Sequence, residues 1–328
     1  MPRYGFNFLW LFVKDGRRTR LEPDYGQLDL MCEMSLNFVR LPMDYRFWTE
    51  GANYTQMDER MLERIDGMVQ ACRDRDLHVC LNMHRAPGFC INRPEIERHR
   101  LWSDRQAQDG FVFQWQAFAR RYRDVPAGAL SFDLVNEPAG TEGERAAHNA
   151  LIRRTVTAIR DIDPEREIVI DGWQGGNEPL PELADLNAIQ SGRGYQPFWL
   201  THYRAPWCPD TMEYPEPEWP TRGDDGKVYN REWLRSEVYG PWRELEQRGT
   251  RVHIGEFGCY KETPNDVALQ WFEDILSLFR EFGWGYSLWN FEGPFGIVDH
   301  GRPGARCESW HGYQVDRELL DLYMKNRV

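Results

Sequence analysis

Short apolar segments alternate with amphipathic segments along the whole chain of 328 residues. In one amphipathic segment Leu62, Ile65 and Val69 recur at spacings of three and four, the period of an α-helix. Strands that alternate with helices pair in parallel through right-handed crossovers. The predicted strands are Tyr4–Phe8, Phe38–Pro42, His78–His84, Leu130–Glu137, Glu167–Gly172, Phe198–Tyr203, Val252–Phe257 and Tyr286–Phe291. Helices are predicted between them, among them Met57–Asp76, Glu144–Asp163 and Pro264–Gly283.

The turn after the first strand separates an open sheet from a closed barrel. A doubly wound sheet that binds a dinucleotide has a glycine-rich turn at this point. Here the turn is Leu9-Trp10-Leu11-Phe12, which contains no glycine and cannot cradle a pyrophosphate. A closed barrel of eight strand–helix units needs about 250 residues. The sequence therefore predicts an α/β fold, a (β/α)8 TIM barrel, with residues 1–328 forming a single catalytic domain.

Composition excludes two classes of partner. The chain has 52 acidic and 40 basic residues, a formal net charge of −12, whereas a nucleic-acid binder usually carries a basic surplus. Its longest apolar run is Phe8–Val13, far short of the roughly 20 residues of a membrane span. We expect neither a nucleic-acid nor a membrane partner. Since the first residues show no export signal, we expect a cytoplasmic protein, or a secreted one if the sequence has been trimmed.

The cysteines predict no metal site. The seven cysteines include no Cys-x-x-Cys pair and no zinc-like spacing. Cys90, Cys208, Cys259 and Cys307 each follow a predicted strand, which allows a disulfide among them, although a reducing compartment fits better. No cluster of ligating residues is visible in the sequence.

Reactive side chains occur where the predicted strands end, which is the catalytic face of a barrel. These residues are Arg40, His84, Asn136, Glu137, His202, Tyr203, Glu256 and Trp289. Glu137 belongs to an Asn-Glu-Pro tripeptide that follows a largely apolar strand. A second Asn-Glu-Pro, at Asn177-Glu178-Pro179, follows a glycine-rich turn instead, and we expect it to be structural.

Glu137 and Glu256 end two different strands, so only the fold can bring their carboxylates together. Carboxylates about 5–5.5 Å apart serve retaining glycosidases, whereas inverting enzymes separate them by roughly 6.5–9.5 Å. One carboxyl must be protonated while the other is ionised, so their environments must separate the two pKa values. The pair predicts a glycoside hydrolase.

Taken together, these strand-end residues resemble glycoside hydrolase family 5, the cellulase family, over essentially the whole chain. The resemblance implies that Glu256 is the nucleophile and Glu137 the acid and base. It implies that Tyr203 and Arg40 orient Glu256, that His202 lies beside Glu137, and that Asn136 binds the sugar 2-hydroxyl. His84 would contact another sugar hydroxyl, and Trp289 would form the floor of the subsite. The family needs no metal or cofactor.

The substrate is left more open than the reaction. Aromatic residues make up 14% of the chain, and their flat apolar faces suit sugar rings. We expect an endo-acting β-1,4-glucanase that acts on a β-linked oligo- or polysaccharide. An exo-acting β-glycosidase or a β-mannanase could use the same residues, since specificity comes from loops. The proline-rich loop 204–230 is predicted to form a wall of the cleft, and a blocked cleft would favour exo cleavage. A non-catalytic carbohydrate-binding barrel is the alternative of another class. The oligomeric state and any cysteine pairing stay open.

Overall fold

The computed structural model describes residues 2–14, 22–92, 94–223 and 226–327. Eight strands close into a barrel. The barrel strands are β1 (Tyr4–Asn7), β2 (Phe38–Asp44), β3 (His78–Arg85), β4 (Leu130–Asp133), β5 (Glu167–Asp171), β6 (Ile189–Gly194), β9 (Val252–Phe257) and β10 (Gly285–Leu288). They follow one another around the barrel in the order β1-β10-β9-β6-β5-β4-β3-β2, and neighbouring strands run parallel. Two antiparallel hairpins add β7 (Thr221–Arg222) with β8 (Val228–Tyr229), and β11 (Cys307–Trp310) with β12 (Tyr313–Asp316). The predicted (β/α)8 barrel is confirmed.

Helices alternate with the barrel strands as the periodicity predicts. They are α1 (Gly26–Glu33), α2 (Glu59–Arg73), α3 (Arg105–Tyr122), α4 (Glu142–Arg160), α5 (Trp173–Gly176), α6 (Phe198–Thr201), α7 (Arg231–Trp233), α8 (Gly240–Gln247), α9 (Asn265–Phe282) and α10 (Arg317–Lys325). Within the described part of the chain, none of them has the length and apolar character that crossing a bilayer requires.

The predicted sixth strand is wrong. Residues Phe198–Thr201 form the short helix α6, and the sixth barrel strand is Ile189–Gly194. Pro197 directly precedes α6 as its N-cap residue, and a fixed proline φ suits the start of a helix. The observed strand has the sequence Ile-Gln-Ser-Gly-Arg-Gly, and its glycines are more typical of a loop than of a strand. Gly194 is required there, because a Cβ at this position would lie 2.5 Å from the Cβ of Phe257.

Packing divides the chain into two compact units. The first, which we call the β2–β5 unit, contains residues 8–192 and 245–251. Its strands run in register from Phe38 opposite His78 to Asp171 opposite Ser191. One apolar cluster of this unit joins Phe38, Cys80, Val169 and Ile189, all of them buried. The helix α4 begins at a capping box in which Thr141 and Glu144 satisfy each other's backbone N–H groups.

The second, the β9–β10 unit, contains residues 1–7, 193–244 and 252–328. Here β10 pairs with β1 on one side and β9 on the other. The Asn7 amide joins these strands, since its Nδ2 atom donates to Gly255 O at 3.0 Å and Leu288 O at 3.2 Å. Helix α9 buries Trp271, Phe272 and Ile275, and this apolar face is typical of a helix packed on a barrel.

All seven cysteines are free thiols. A disulfide among Cys90, Cys208, Cys259 and Cys307, which the sequence allowed, is therefore absent from the structure. Burial raises the pKa of the Cys90 thiol to about 11. Such a thiol stays protonated at neutral pH and packs as a small apolar side chain.

Candidate active site

Arg40 is the centre of a buried ionic network in the β2–β5 unit. It lies on β2 and is 1% exposed. Its Nε atom donates to Asp133 on β4 at 2.8 Å, and its Nη2 atom donates to Asn136 Oδ1 at 2.9 Å. Asp171 on β5 lies 3.6 Å from the same Nη2 atom. Burying these charges is tolerable because each faces an opposite charge or a hydrogen-bond partner. The network links β2, β4 and β5 near the ends where β4 and β5 stop.

The network also fixes the backbone of Glu137. The N–H of Glu137 donates to Asp171 Oδ2 at 3.0 Å. Glu137 has φ of 49°, a left-handed conformation that is uncommon for a residue with a Cβ and recurs at functional sites. Its side chain is half-buried. Regular β4 ends at Asp133, but Asn136 N–H still donates to Met83 O at 3.1 Å. Glu137 therefore lies in a turn after β4 whose backbone is fixed by hydrogen bonds.

His84 lies near the end of the adjacent β3, as predicted. The side chain is 4% exposed. Its ring meets that of Phe12 edge to face, with centroids 4.6 Å apart. The position matches the expectation, and contact with a sugar hydroxyl stays a prediction.

Glu256 is held through its carboxylate in the β9–β10 unit. The residue is 3% exposed at the end of β9. The guanidinium of Arg193, on β6, lies 3.4 Å from its Oε1 atom, and Tyr195 donates its hydroxyl to Oε2 at 3.1 Å. A buried carboxylate with a cation at one oxygen and a hydroxyl donor at the other is stabilised in its ionised form. This is the state that a nucleophile needs.

Four residues of these two networks are not among the predicted site residues: Asp133, Asp171, Arg193 and Tyr195. Asp133 and Asp171 were counted within apolar strands, although a charge at an inward position of a buried strand is itself a signal. Arg193 and Tyr195 are not predicted because the sixth strand is predicted at Phe198–Tyr203, after both residues. Placing the strand at Ile189–Gly194 would have put both at its carboxyl end.

The two residues assigned to that strand, His202 and Tyr203, therefore do not end a barrel strand. His202 follows α6 and stacks on Phe198, with ring centroids 3.9 Å apart. Burial lowers the pKa of His202 to about 3, so the ring is neutral at neutral pH. Tyr203 is buried beneath the guanidinium of Arg204, 5.1 Å from its ring centre. The Tyr195 hydroxyl contacts Glu256, and the orienting role expected of Tyr203 stays a prediction. The predicted place of His202 beside Glu137 stays a prediction.

Trp289 follows β10 in the β9–β10 unit, as the sequence predicts. It is partly buried against a cluster of Ala205, Tyr260 and Phe295. Trp207 is 49% exposed, and its ring centre lies 5.9 Å from that of Phe295. Half-exposed aromatic rings are suited to stacking on sugar. The role of Trp289 as the floor of a subsite stays a prediction.

The second Asn-Glu-Pro is built differently from the first. Glu178 is exposed and forms a salt bridge with Arg145 at 3.0 Å. Arg145 also forms a salt bridge with Glu182. The structural role predicted for it agrees with this surface position.

The loop 204–230 is ordered where it is described. It contains a 3-10 helix at Pro209–Glu213 and the hairpin of β7 and β8. The indole N–H of Trp219 donates to Asp274 on α9 at 3.0 Å. The contribution of this loop to a cleft wall stays a prediction.

Comparisons with known proteins agree with this geometry. A family model described as cellulase (glycosyl hydrolase family 5) matches residues 24–293. A crystal structure described as a glycoside hydrolase is 56% identical with a TM-score of 0.96, covering 100% of both chains. Endoglucanase C of Acetivibrio thermocellus is 27% identical over 289 residues, 81% of this chain and 82% of its own. Cellodextrinase A of Ruminococcus flavefaciens is 26% identical over 282 residues, 84% of this chain and 80% of its own. The chain belongs to glycosyl hydrolase family 5, the cellulase family, and is a glycoside hydrolase.

Proposed function

We propose that the protein hydrolyses β-1,4-glucan and its soluble oligosaccharides with retention of configuration, using Glu256 and Glu137. The observation that carries the proposal is the environment of Glu256, a buried carboxylate with Arg193 at one oxygen and Tyr195 at the other. In a (β/α)8 barrel the carboxyl ends of all strands open on one face. Glu137 and Glu256 follow β4 and β9 and are therefore proposed to serve one sugar ring.

In the first step, Glu256 attacks the anomeric carbon as the bond to the leaving oxygen breaks. Glu137 donates its proton to that oxygen, so the leaving sugar departs as an alcohol. In the second step, Glu137 takes a proton from water while the water oxygen attacks the same carbon and releases Glu256. Two inversions at one carbon give retention.

The supporting residues act on the substrate and on the two glutamates. The Asn136 amide, oriented by its bond to Arg40, would hydrogen-bond the sugar 2-hydroxyl, a contact that strengthens in the transition state. His84 would contact a further hydroxyl, and Trp289 would stack against the ring. The left-handed turn at Glu137 aims its side chain while Asp171 holds its N–H.

The choice of β-1,4-glucan is supported by the names of two relatives, an endoglucanase and a cellodextrinase. Half-exposed rings such as Trp207 also favour a sugar substrate over a charged one. We propose endo cleavage of soluble chains, and exo cleavage is an outcome of the test.

A substrate panel with product analysis tests the proposal. Cello-, manno- and xylo-oligosaccharides are digested and the products separated by chromatography, while proton NMR follows the anomer released first. We expect cello-oligosaccharides to be cut fastest, at internal bonds, with the β-anomer appearing first. Initial release of the α-anomer would overturn retention. A preference for mannan or xylan, or release of single terminal sugars, would overturn the substrate or the endo assignment alone.

Covalent trapping tests the nucleophile directly. A 2-deoxy-2-fluoro-β-cellobioside with a good leaving group slows the second step and accumulates the glycosyl-enzyme, and peptide mass spectrometry locates the sugar. We expect the label on Glu256. The Glu178→Gln variant changes the second Asn-Glu-Pro and should be labelled like the wild type. Labelling at another carboxylate would overturn the assignment.

A further inference from the structure

Arg193 is a deeply buried cation next to the carboxylate of Glu256. Its side chain is 1% exposed, and its Nη2 atom lies 3.4 Å from Glu256 Oε1. A guanidinium is not deprotonated in proteins, so its charge is constant over the working pH range. Burial in a medium of low dielectric strengthens the influence of that charge on Glu256. From this geometry we propose that Arg193 is a positioning residue that keeps Glu256 ionised and sets the acid limb of activity.

The inference rests on the proposed function, in which Glu256 is the nucleophile. Strand packing holds Arg193 in place, because the next residue, Gly194, allows β6 to approach β9 closely. A Cβ on Gly194 would meet the Cβ of Phe257 at 2.5 Å and the side chain of Ile275 at 3.1 Å. Arg193 and Glu256 are therefore carried by two strands that cannot separate without repacking.

The contact with Arg193 places a permanent positive charge against one oxygen of Glu256. The Nη2 atom of Arg193 lies 3.4 Å from Glu256 Oε1, and opposite charges at this separation attract each other strongly in a buried environment. Tyr195 fixes the other oxygen at 3.1 Å and so defines the direction of the carboxylate.

The neighbouring histidine cannot substitute for this charge. The His202 ring centre lies 5.2 Å from that of Tyr195, and burial lowers the pKa of His202 to about 3. His202 is thus neutral wherever Glu256 has to be ionised. Further titratable groups on the elements around Glu256 are His253, Tyr260 and Tyr286, and the proposed mechanism adds Arg40 and Glu137.

Substitution predicts a defined change in the pH profile. Without the cation, the charged form of Glu256 loses a stabilising partner. Activity that needs this carboxylate is then lost earlier as the pH falls, so the acid limb moves to higher pH. We expect Arg193→Met to raise the acid limb of kcat/KM by about one pH unit or more, and Arg193→Lys to keep it near its wild-type position.

The experiment measures kcat/KM against pH with an activated aryl β-cellobioside, together with the rate of fluoroglycoside trapping on Glu256. Arg166→Met is the matched control, since Arg166 is equally buried and pairs with Asp163 at 2.7 Å in the other unit. It should leave the acid limb unchanged even if it lowers stability. If Arg193→Met does not fold, Arg193→Gln removes the charge while retaining hydrogen-bond donors.

The outcomes separate this inference from the function on which it rests. A shifted limb with Met or Gln, an unshifted limb with Lys, and slower trapping support the positioning role. A folded neutral variant with the wild-type limb would overturn it, as would an equal shift in Arg166→Met. If the wild type itself is never labelled on Glu256, the proposed function fails before Arg193 is tested.

Discussion

The two glutamates of the proposed mechanism are held at different atoms, each by residues of its own unit. In the β9–β10 unit the recorded contacts reach the Glu256 carboxylate itself, from Arg193 and Tyr195. In the β2–β5 unit the contact from Asp171 reaches the backbone N–H of Glu137, and Arg40 neutralises Asp133 and Asp171. Glu256 is 3% exposed, whereas Glu137 is half-buried.

This difference agrees with the different chemical roles proposed for the two carboxyl groups. A nucleophile has to remain ionised, so a fixed cation and a hydroxyl donor at its oxygens are useful. An acid that later acts as a base must exchange its proton with the leaving group and with water. For Glu137, the bond from its backbone N–H to Asp171 fixes the turn from which the carboxyl group extends. The comparison predicts that changes in the two units will have different kinetic signatures.

The largest expected effect is the loss of the nucleophile. Glu256→Gln keeps the shape of the side chain but removes the attacking charge, and kcat should fall by about 10⁴-fold or more on every substrate. Steady-state kinetics on aryl cellobiosides and cello-oligosaccharides measure the loss. Because the neutral amide no longer balances Arg193, thermal unfolding should be followed alongside.

Glu178→Gln is the control for this substitution, since Glu178 is an exposed glutamate in the same kind of tripeptide as Glu137. It should retain wild-type kinetics. A Glu256→Gln enzyme that keeps even a tenth of the wild-type kcat would contradict the role of Glu256.

Loss of the acid should depend on the leaving group, unlike loss of the nucleophile. Glu137→Ala is expected to lower kcat/KM by about 10³-fold on cello-oligosaccharides, which need protonation of the leaving oxygen. A dinitrophenyl cellobioside, whose leaving group needs no proton, should lose far less in kcat/KM. Added azide should restore turnover of this substrate and yield a β-glycosyl azide. Equal losses on both substrates would show that Glu137 does not donate the proton.

The barrel could be predicted from the sequence because its signals are local. The predicted strand Val252–Phe257 agrees with β9 at both ends. The predicted strand starting at Leu130 overran, since regular β4 ends at Asp133 while the chain continues to Glu137 in a turn. The sixth strand was missed because apolar character was the criterion. Phe198-Trp199-Leu200 satisfied it as a helix, whereas a strand containing Gly192 and Gly194 did not.

Site residues could be predicted only where a reactive residue type stands out from an otherwise apolar strand. Glu137, Glu256, Arg40 and His84 are unusual residue types for buried strands and their ends. The structure places Glu256 and His84 near the ends of β9 and β3, Arg40 within β2, and Glu137 in the turn after β4. Which charges pair could not be read from the sequence, because pairing depends on side-chain geometry across strands. Arg40 was expected to orient Glu256, and its recorded partners are instead Asp133, Asn136 and Asp171. Whether it also acts on Glu256 stays a prediction.

The network around Arg40 should matter more to stability than the contact of Arg193. Arg40→Met leaves Asp133 and Asp171 buried without their cation, and removing one partner of a buried pair typically costs about 3–5 kcal/mol. Urea unfolding at neutral pH measures the free energy of unfolding. Arg75→Met is the control, because Arg75 pairs with the exposed Asp29, and exposed pairs contribute about 0–1 kcal/mol. If the two variants were equally stable, Arg40 would not be the centre of the unit.

The smallest expected effect compares one buried histidine from each unit. Burial lowers the pKa of His148 to about 4 in the β2–β5 unit and that of His202 to about 3 in the β9–β10 unit. Both values lie below the ordinary 6.5, so between these pH values the unfolded chain binds more protons than the folded one. The free energy of unfolding therefore falls as pH is lowered from 7 towards 4.

His148→Phe keeps an aromatic ring between Trp102 and Trp173 and removes the titration. The loss of stability between pH 7 and pH 5 should shrink by about 2 kcal/mol, and His202→Phe should shrink it by a similar amount. Comparing each variant with itself at two pH values cancels the effect of packing. His311→Gln, an exposed control, should behave as the wild type. A response to only one of the two substitutions would show that the other histidine is already hydrated in its unit, and would sharpen the contrast between the two halves of the site.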